Sequence, residues 1–455
     1  MNIPPNDLEI CLNVLQQISE NPAVITHHDR FKSLIAKIYK EGKKSKRNSE
    51  RQRQQAEDRN LQAMTAIVQN QRHKKPTVNL LEDSVKLKKT LNKSIHCYIC
   101  KEPYTEIHFF YHLLCTKCAA FNYQKRNQRT NLKGRVALVT GGRIKIGYQT
   151  ALRMLQDGAK VIVTTRFPRD CARRFSEEPD FTQWCDRILI HGLDLRNIPA
   201  VEAFIQHLMD TEPVLDIIIN NAAQTIKRPF AFYQHLLEQE KEPLEPVIAC
   251  FGDRYPFLSE TQPHYCSNLP AFTSKYFPLN TFDADGQQLD IRPLNSWLLK
   301  LSEVSTMEMV EVQLVNAIAP FILNSKLKPL LLRSLFERRF IINISAMEGQ
   351  FQRDSKTVFH PHTNMAKAAL NMMTRTSAAD YARDNIFMNS VDTGWITDEN
   401  PYPKKSRSQK NRGFYTPLDA IDGMARIYDP IVQGIEDSAV PLHGYFLKDY
   451  VPYPW

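Results

Sequence analysis

Cys97 and Cys100 form one C-x2-C pair, and Cys115 and Cys118 form another after fourteen intervening residues. Each pair can grip one edge of a metal ion through a tight turn, and four thiolates complete the tetrahedral shell that zinc prefers. A closed four-sulfur shell leaves no open position for a substrate, so a zinc site of this kind is structural. His96, His108 and His112 lie close by and read as packing residues. A second chemical cluster is HPHTNMAKAALN, from His360. The imidazoles of His360 and His362 titrate near neutrality and could move a proton, although residues beside a helix start also cap it or face solvent. Thr363 and Lys367 follow, and upstream the apolar run FIINIS ends at Ser345.

The elements that must position these groups begin at Gly134. GRVALVTGGRIKIGYQTALRMLQDGAKVIVTTR reads as strand, glycine turn, helix and second strand. Val136 to Thr140 is a continuous apolar run, as expected of a parallel strand covered by helices on both faces. Gly141 and Gly142 let the backbone approach a phosphate, and the helix after them offers free N–H groups and the positive end of its dipole. Gly158 closes that helix.

These residues resemble the short-chain dehydrogenase/reductase family, whose turn is written T-G-x-x-x-G-x-G. Thr140, Gly141 and Gly147 match, with Ile146 between, while the second-glycine slot holds Lys145. The pteridine-reductase-like branch of the family carries an arginine in that slot, where a cation serves a phosphorylated coenzyme. Downstream, Asp194 and Leu195 fall where the family contacts adenine. Asn221 and Ala222 lie in a run close to its N-N-A-G. Asn316 resembles the helix asparagine that supports the catalytic lysine, Ser345 the catalytic serine, and Thr393 stands where the P-G loop has proline. The slot after the second strand holds Thr165 and then Arg166 in place of an acid. Arginine suits a 2′-phosphate, so with Lys145 and Arg143 nearby the resemblance implies NADP(H) in preference to NAD(H). The signature Y-x-x-x-K keeps its lysine as Lys367, but Thr363 fills the tyrosine slot. A phenol starts near pKa 10 and is brought toward working pH by the lysine cation. An aliphatic hydroxyl starts several units higher, so Thr363 cannot take over. His362 and His360 are the nearest substitute donors, with Tyr402 and Tyr415 further off.

The chain has 455 residues, 42% hydrophobic and 24% charged, with a formal net charge of +10. No apolar run approaches the roughly 18–20 residues that cross a bilayer, and the N-terminus lacks the basic-then-apolar signature of a secretory signal. Nine cysteines, an odd number without an export signal, fit thiols or metal ligands better than a disulfide framework. Cytoplasm or nucleus is the expected compartment. Residues 1–40 read as a helical hairpin, 41–94 as a basic, polar, partly disordered linker, 95–130 as the zinc-binding module, and 133–455 as the main domain with an insertion at about 225–300. The expected fold is α/β, a doubly wound parallel sheet of Rossmann type with an N-terminal helical region and a small zinc knuckle. Three functions stay open: an NADP(H)-binding oxidoreductase acting on a small carbonyl or alcohol, an inactive nucleotide-binding scaffold, and a nucleic-acid-associated zinc protein using the basic Lys40–Arg53 run. The insertion and N-terminal helices are candidate protein-binding surfaces, and the resemblance implies a homodimer.

Overall fold

The computed structural model describes residues 3–72, 90–241, 249–250, 274–283, 285–352 and 356–455. Most of the expected 41–94 linker after Arg72, and the aromatic stretch of the insertion up to 273, lie outside the described residues.

Helix α1 (Pro5–Glu20) turns through Pro22–Ile25 into α2 (Asp29–Ala63). The helix boundary expected at residue 40 is absent: α2 continues for 35 residues through the basic run. That run lacks an apolar face, but Lys, Arg, Glu and Gln are strong helix formers. Arg53 also ties Glu50 at 2.7 Å and Glu57 at 3.7 Å across single turns. Neither α1 nor α2 has a buried residue. The far end of α2 reaches the body, where Asp58 accepts the Asn92 N–H at 2.7 Å.

Helix α3 (Ala66–Arg72), the antiparallel hairpin of β1 (Thr90–His96) and β2 (Pro103–Glu106), and α4 (Thr116–Arg126) form the cysteine-bearing unit. Its core joins Ile67, Val68, Cys97, Phe110, Tyr111 and Leu114 to Leu418 of the main domain.

The main domain alternates strand and helix: β3 (Val136–Thr140), α5 (Lys145–Gln156), β4 (Lys160–Thr165), α6 (Pro168–Ser176), β5 (Ile188–Gly192), α7 (Ile198–Thr211) and β6 (Ile217–Asn220). The insertion contributes α8 (Phe230–Gln239) and the two-residue strand β7 (Ala249–Cys250). There follow α9 (Thr306–Gln313), a π-turn at Leu314–Ile318, α10 (Ala319–Lys326), α11 (Lys328–Leu332), β8 (Arg339–Ser345), α12 (Pro361–Arg383), β9 (Ile386–Asp392), α13 (Tyr402–Arg412), α14 (Ala420–Glu436), β10 (Phe446–Lys448) and β11 (Val451–Tyr453). The sheet has nine strands in the order β11-β10-β9-β8-β6-β3-β4-β5-β7, parallel throughout except for β11. The order reverses between β3 and β6, which is the switch point where doubly wound sheets bind ligands.

The strands are apolar runs because both faces are covered. Helices α5, α6 and α14 pack one face through Leu152, Leu155, Phe175, Ile427 and Ile431. Helices α7, α10 and α12 pack the other through Phe204, Leu208, Leu323 and Tyr381. One continuous helical run, Thr306–Lys326, is long and apolar enough to cross a membrane by length and composition, which the reading of the sequence did not find. Here it is built into the fold, with Ala319 and Leu323 in the core.

Candidate functional site

At the switch point Thr140 accepts the N–H groups of Asn221 and Ala222 through Oγ1, each at 3.0 Å. Asn221 returns Nδ2–H bonds to the carbonyls of Thr140 (3.0 Å) and Gly141 (3.1 Å). These bonds leave no space beside the turn. A Cβ on Gly141, whose φ is +68°, would lie 2.9 Å from Ala222 Cα, and one on Gly147 would lie 2.4 Å from Asn221 Nδ2. Gly142 lies under Val163. Lys145 opens α5 with a left-handed φ of 56°, a conformation that costs a non-glycine residue about 1–2 kcal/mol. Ile146, next along, packs on Gly423 of α14. The start of α5 carries no side-chain cap, so its first N–H groups and dipole suit a phosphate.

The cations assigned to coenzyme phosphates are already engaged. Arg143 is buried and donates to Asp170 Oδ2 and Gln287 Oε1, both at 2.6 Å. That corrects the reading of Arg143 as a phosphate ligand: its charge is neutralised by α6, 27 residues along the chain. Lys145 Nζ stands 3.7 Å from Asp285 of the insertion. Burial pulls its pKa down, but Glu399, Asp285 and Asp283 outweigh this and raise it. Arg166 stacks 4.5 Å over the Tyr233 ring and donates Nη2–H to the Tyr233 hydroxyl at 2.8 Å. Asp194 is gripped by Arg196, with Nη2 at 2.5 Å. Burial would raise the Asp194 carboxyl, and this guanidinium holds it below the usual carboxylate range. Leu195 points into the core, so Asp194 and Leu195 present less to an adenine than the resemblance implies. Thr393 is buried in the turn after β9.

Lys367 lies fully inside at the carboxyl end of β8 and donates to the Ile344 carbonyl at 2.6 Å. Burial pushes its pKa down to about 8, with Glu348 working the other way. Thr363 precedes it by one turn, and its hydroxyl is buried with no hydrogen-bond partner among the described residues. The Ser345 hydroxyl bonds to Asn371 Oδ1 at 2.5 Å. Asn371 is one turn beyond Lys367, so Ser345 is aimed away from the Thr363 end. Asn316 sits in the π-turn, a distortion frequent at functional sites. Its side chain clasps both backbone groups of Gln224, at 2.7 and 3.2 Å, and so fixes the loop after β6.

Neither histidine joins this group. His362 is five residues from Lys367, about 140° around the helix, and its ring stands 3.6 Å from Glu308 of α9. His360 takes φ 43° at the start of α12, stacks on Trp297 at 3.8 Å and hydrogen-bonds the Trp297 carbonyl through Nδ1 at 2.9 Å. Tyr415 is turned to the cysteine-bearing unit, where its hydroxyl accepts from Arg72 at 3.0 Å, and Tyr402 is at the exposed start of α13. At the start of α12 a cleft of about 250 Å³ opens among Trp297, Glu348, Phe359, His360, Asn364 and Lys404. Trp297, Tyr233, Asp285 and Gln287 come from an insertion without readable periodicity, so no pattern pointed to them.

The Sγ atoms of Cys97, Cys100, Cys115 and Cys118 all lie within 4.8 Å of one another, with Cys100 and Cys115 at 3.7 Å. Zn–S bonds of about 2.3 Å in a tetrahedron place the sulfurs about 3.8 Å apart, so the cluster fits zinc. His108 accepts the Phe110 N–H and His112 meets the Tyr415 carbonyl, as packing residues would.

A short chain dehydrogenase family model matches residues 135–240. The uncharacterized protein R665 of Acanthamoeba polyphaga mimivirus is 32% identical over 372 residues, covering 78% of this chain and 74% of that one. Human dehydrogenase/reductase SDR family member 13 is 37% identical over 93 residues, only 20% of this chain and 24% of that protein. Among solved structures, an NADPH-bound carbonyl reductase from chicken fatty liver overlaps 72% of this chain and all of its own, at 18% identity and a TM-score of 0.45. The chain belongs to the short-chain dehydrogenase/reductase family, as a divergent member with a four-cysteine cluster ahead of its Rossmann-like domain.

Proposed function

We propose that the chain is an NADP(H)-binding oxidoreductase of the short-chain type, acting on a carbonyl or alcohol without a tyrosine hydroxyl. Lys367 carries the reading. A buried ammonium group is expensive to maintain, and this one lies at the carboxyl ends of the strands with its pKa lowered to about 8. The coenzyme supplies or accepts the hydride. Lys367 is placed to hold the ribose hydroxyls and, with its pKa near working pH, to exchange a proton with the substrate oxygen. Gly141 and the start of α5 suit the pyrophosphate. Arg166 gives one nitrogen to Tyr233 and suits the 2′-phosphate, with Thr165 bringing no carboxylate to repel it. The cleft at the start of α12, between Trp297 and Asn364, takes the substrate.

Zinc at the four cysteines is structural in this proposal. A second copy packs on the apolar face of α9, α10 and α12, where Met307, Val310, Phe321, Met365 and Met372 are exposed. Calorimetry with NADPH and NADH comes first, then NADPH oxidation across a panel of carbonyls, with Lys367→Ala as control. Absence of binding at millimolar coenzyme, or turnover indifferent to Lys367→Ala, overturns the reading.

A second reading, a coenzyme-binding protein without turnover, is favoured by the unpartnered Thr363 hydroxyl and by Ser345 facing Asn371. Reductase activity created by Thr363→Tyr in a silent wild type would establish it, and robust wild-type turnover would remove it.

A further inference from the structure

Three side chains of the insertion meet the three cations around the glycine turn and the end of β4. Gln287 holds Arg143 at 2.6 Å, Asp285 faces Lys145 at 3.7 Å, and Tyr233 both stacks on and hydrogen-bonds Arg166. Two of these come from a preorganised turn. The Asp283 carboxylate accepts the N–H groups of Asp285 and Gln287, both at 2.9 Å, and its own N–H bonds the Gln287 carbonyl at 2.9 Å. Gln288 anchors the base of the turn by donating to the Pro278 carbonyl at 2.7 Å. Gly286, at φ +71°, sits against Arg174, where a Cβ would lie 3.0 Å from Nη2, and Arg174 is itself bound to Asp170 at 2.8 Å. The turn therefore rests on the outer side of the glycine loop. Its Asp285 carboxylate faces Lys145, the cation that opens α5.

Helix α8 is fixed in the same neighbourhood. Glu240, just past its end, accepts the N–H groups of Arg169 and Asp170 at the start of α6, both at 3.0 Å. Tyr233 packs 5.5 Å from Phe167. α8 has a firm seat on the domain, whereas the Asp285–Lys145 contact is long and both side chains are about two-fifths exposed. The acidic turn is the weaker of the two attachments.

We propose that the insertion is a built-in competitor for the coenzyme: the turn of Asp283 and Asp285–Gln288 occupies the phosphate side of the groove, and a dinucleotide enters by displacing it. This rests on the coenzyme reading given above. No covalent step is involved, since one anionic partner replaces another on Lys145. An exposed ion pair contributes about 0.2–1 kcal/mol, so Asp285→Asn tightens NADPH binding by about 1.4- to fivefold. Gln287→Ala, which removes the bond that holds the turn on the buried Arg143, loosens the turn and tightens binding further in the double variant.

The test is calorimetry of NADPH on the full-length wild type, Asp285→Asn and the double variant. Hydrogen exchange at the Asp285 and Gln287 amides is measured with and without NADPH. Tighter binding by the variants, with faster exchange of both amides in the wild type on adding NADPH, is expected. If the wild type binds NADPH and the variants bind equally or more weakly, or if NADPH slows exchange at those amides, the competitor is overturned and the coenzyme reading stands. If neither wild type nor variants bind at millimolar NADPH, both fall.

Discussion

Asp392 ends β9 in register with Ser345 of β8, on the flank of the candidate site. Its carboxyl is 7% exposed and accepts the Gly394 N–H at 3.2 Å. Burial pushes its pKa up to about 6; Lys448 and the Gly394 N–H oppose that shift, while Asp449 and Glu348 reinforce it. An unfolded aspartate titrates near 3.9. The folded chain therefore holds a proton there that the unfolded chain has released. This contribution to stability is complete below about pH 4 and is lost as pH rises through about 6. A difference of about two units at 1.36 kcal/mol each makes the ionised group cost about 3 kcal/mol at pH 8. Asp392→Asn keeps the shape and the acceptor for Gly394 but cannot ionise. Urea unfolding at pH 4, 6 and 8 should give matching stabilities at pH 4 and a variant more stable by about 2–3 kcal/mol at pH 8. A variant less stable than wild type at pH 8 would refute the reasoning, because Lys448 would then be compensating the carboxylate fully.

The remaining predictions concern how the cysteine-bearing unit and the glycine turn are held. Arg126 binds Asp419 at 3.0 Å and the buried Asp422 at 2.9 Å, so Arg126→Met strands a buried acid and should cost about 3–5 kcal/mol in urea unfolding; a loss under about 1 kcal/mol would contradict that. Protein purified without chelator should carry zinc by elemental analysis, and Cys115→Ser or chelation should remove it and lower the melting temperature, since the binding energy of a structural zinc is folding energy; an unchanged melting curve after metal loss counts against the site. Lys145→Gly should relieve the left-handed backbone, stabilising the chain by about 1 kcal/mol, while weakening NADPH more than NADH; equal weakening of both coenzymes would deny Lys145 a role at the 2′-phosphate. Tyr98→Phe removes the acceptor of the Trp395 N–H, 2.9 Å away, and should speed exchange of that amide about fivefold for a bond worth about 1 kcal/mol; unchanged exchange would show that the bond does not hold the loop.

Much of this was legible from local pattern. The strand–glycine–helix run from Val136, the two C-x2-C pairs and the apolar strands before Asn221, Ser345 and Thr393 each carry their signal within a few residues, and the structure forms them as strands, turns and a sulfur cluster. What the sequence concealed is long-range. Arg143 reads as a phosphate cation until Asp170 and Gln287 are seen to saturate it, the second from 144 positions away. The direction of the Ser345 hydroxyl depends on Asn371 in another element. His362 keeps its place in the chain but is carried away from Lys367 by rotation around α12, while His360 is stacked on Trp297, an insertion residue, and lines the cleft beside it. The length of α2 was not fixed by the sequence for a different reason: without an apolar stripe the polar segment reads equally as helix or linker, whereas charged residues with i,i+3 and i,i+4 pairing sustain a solvated helix.

The two departures from the family plan, the cysteine unit and the insertion, act on opposite walls of the same groove. The stretch from Gly394 to Leu418 follows β9, and the cysteine unit holds it at both ends. Tyr98, between two of the cysteines, accepts the Trp395 N–H. Leu418 lies in one core with Cys97 and Tyr111, and Tyr415 is tied to Arg72. The unit is in turn locked to α14 by Tyr111 on Asp422 and by Arg126, and Gly423 of α14 lies against Ile146 at the start of α5. A chain of direct contacts thus runs from the sulfur cluster to the phosphate-binding turn, and it stiffens the wall bearing Asn400 and Lys404. On the other side, the turn of Asp285 and Gln287 is attached through the part-exposed pair at Lys145 and the buried Gln287–Arg143 bond, while the rest of the insertion is tied more firmly, by Lys227 on Glu311 at 3.1 Å and by Glu240 on the N–H groups at the start of α6. The ion pair of the turn, Asp285 with Lys145, is two-fifths exposed and worth about 1 kcal/mol or less, whereas the cysteine unit is locked to α14 by a buried ion pair worth several times that, so the turn is the part of the two that yields more readily.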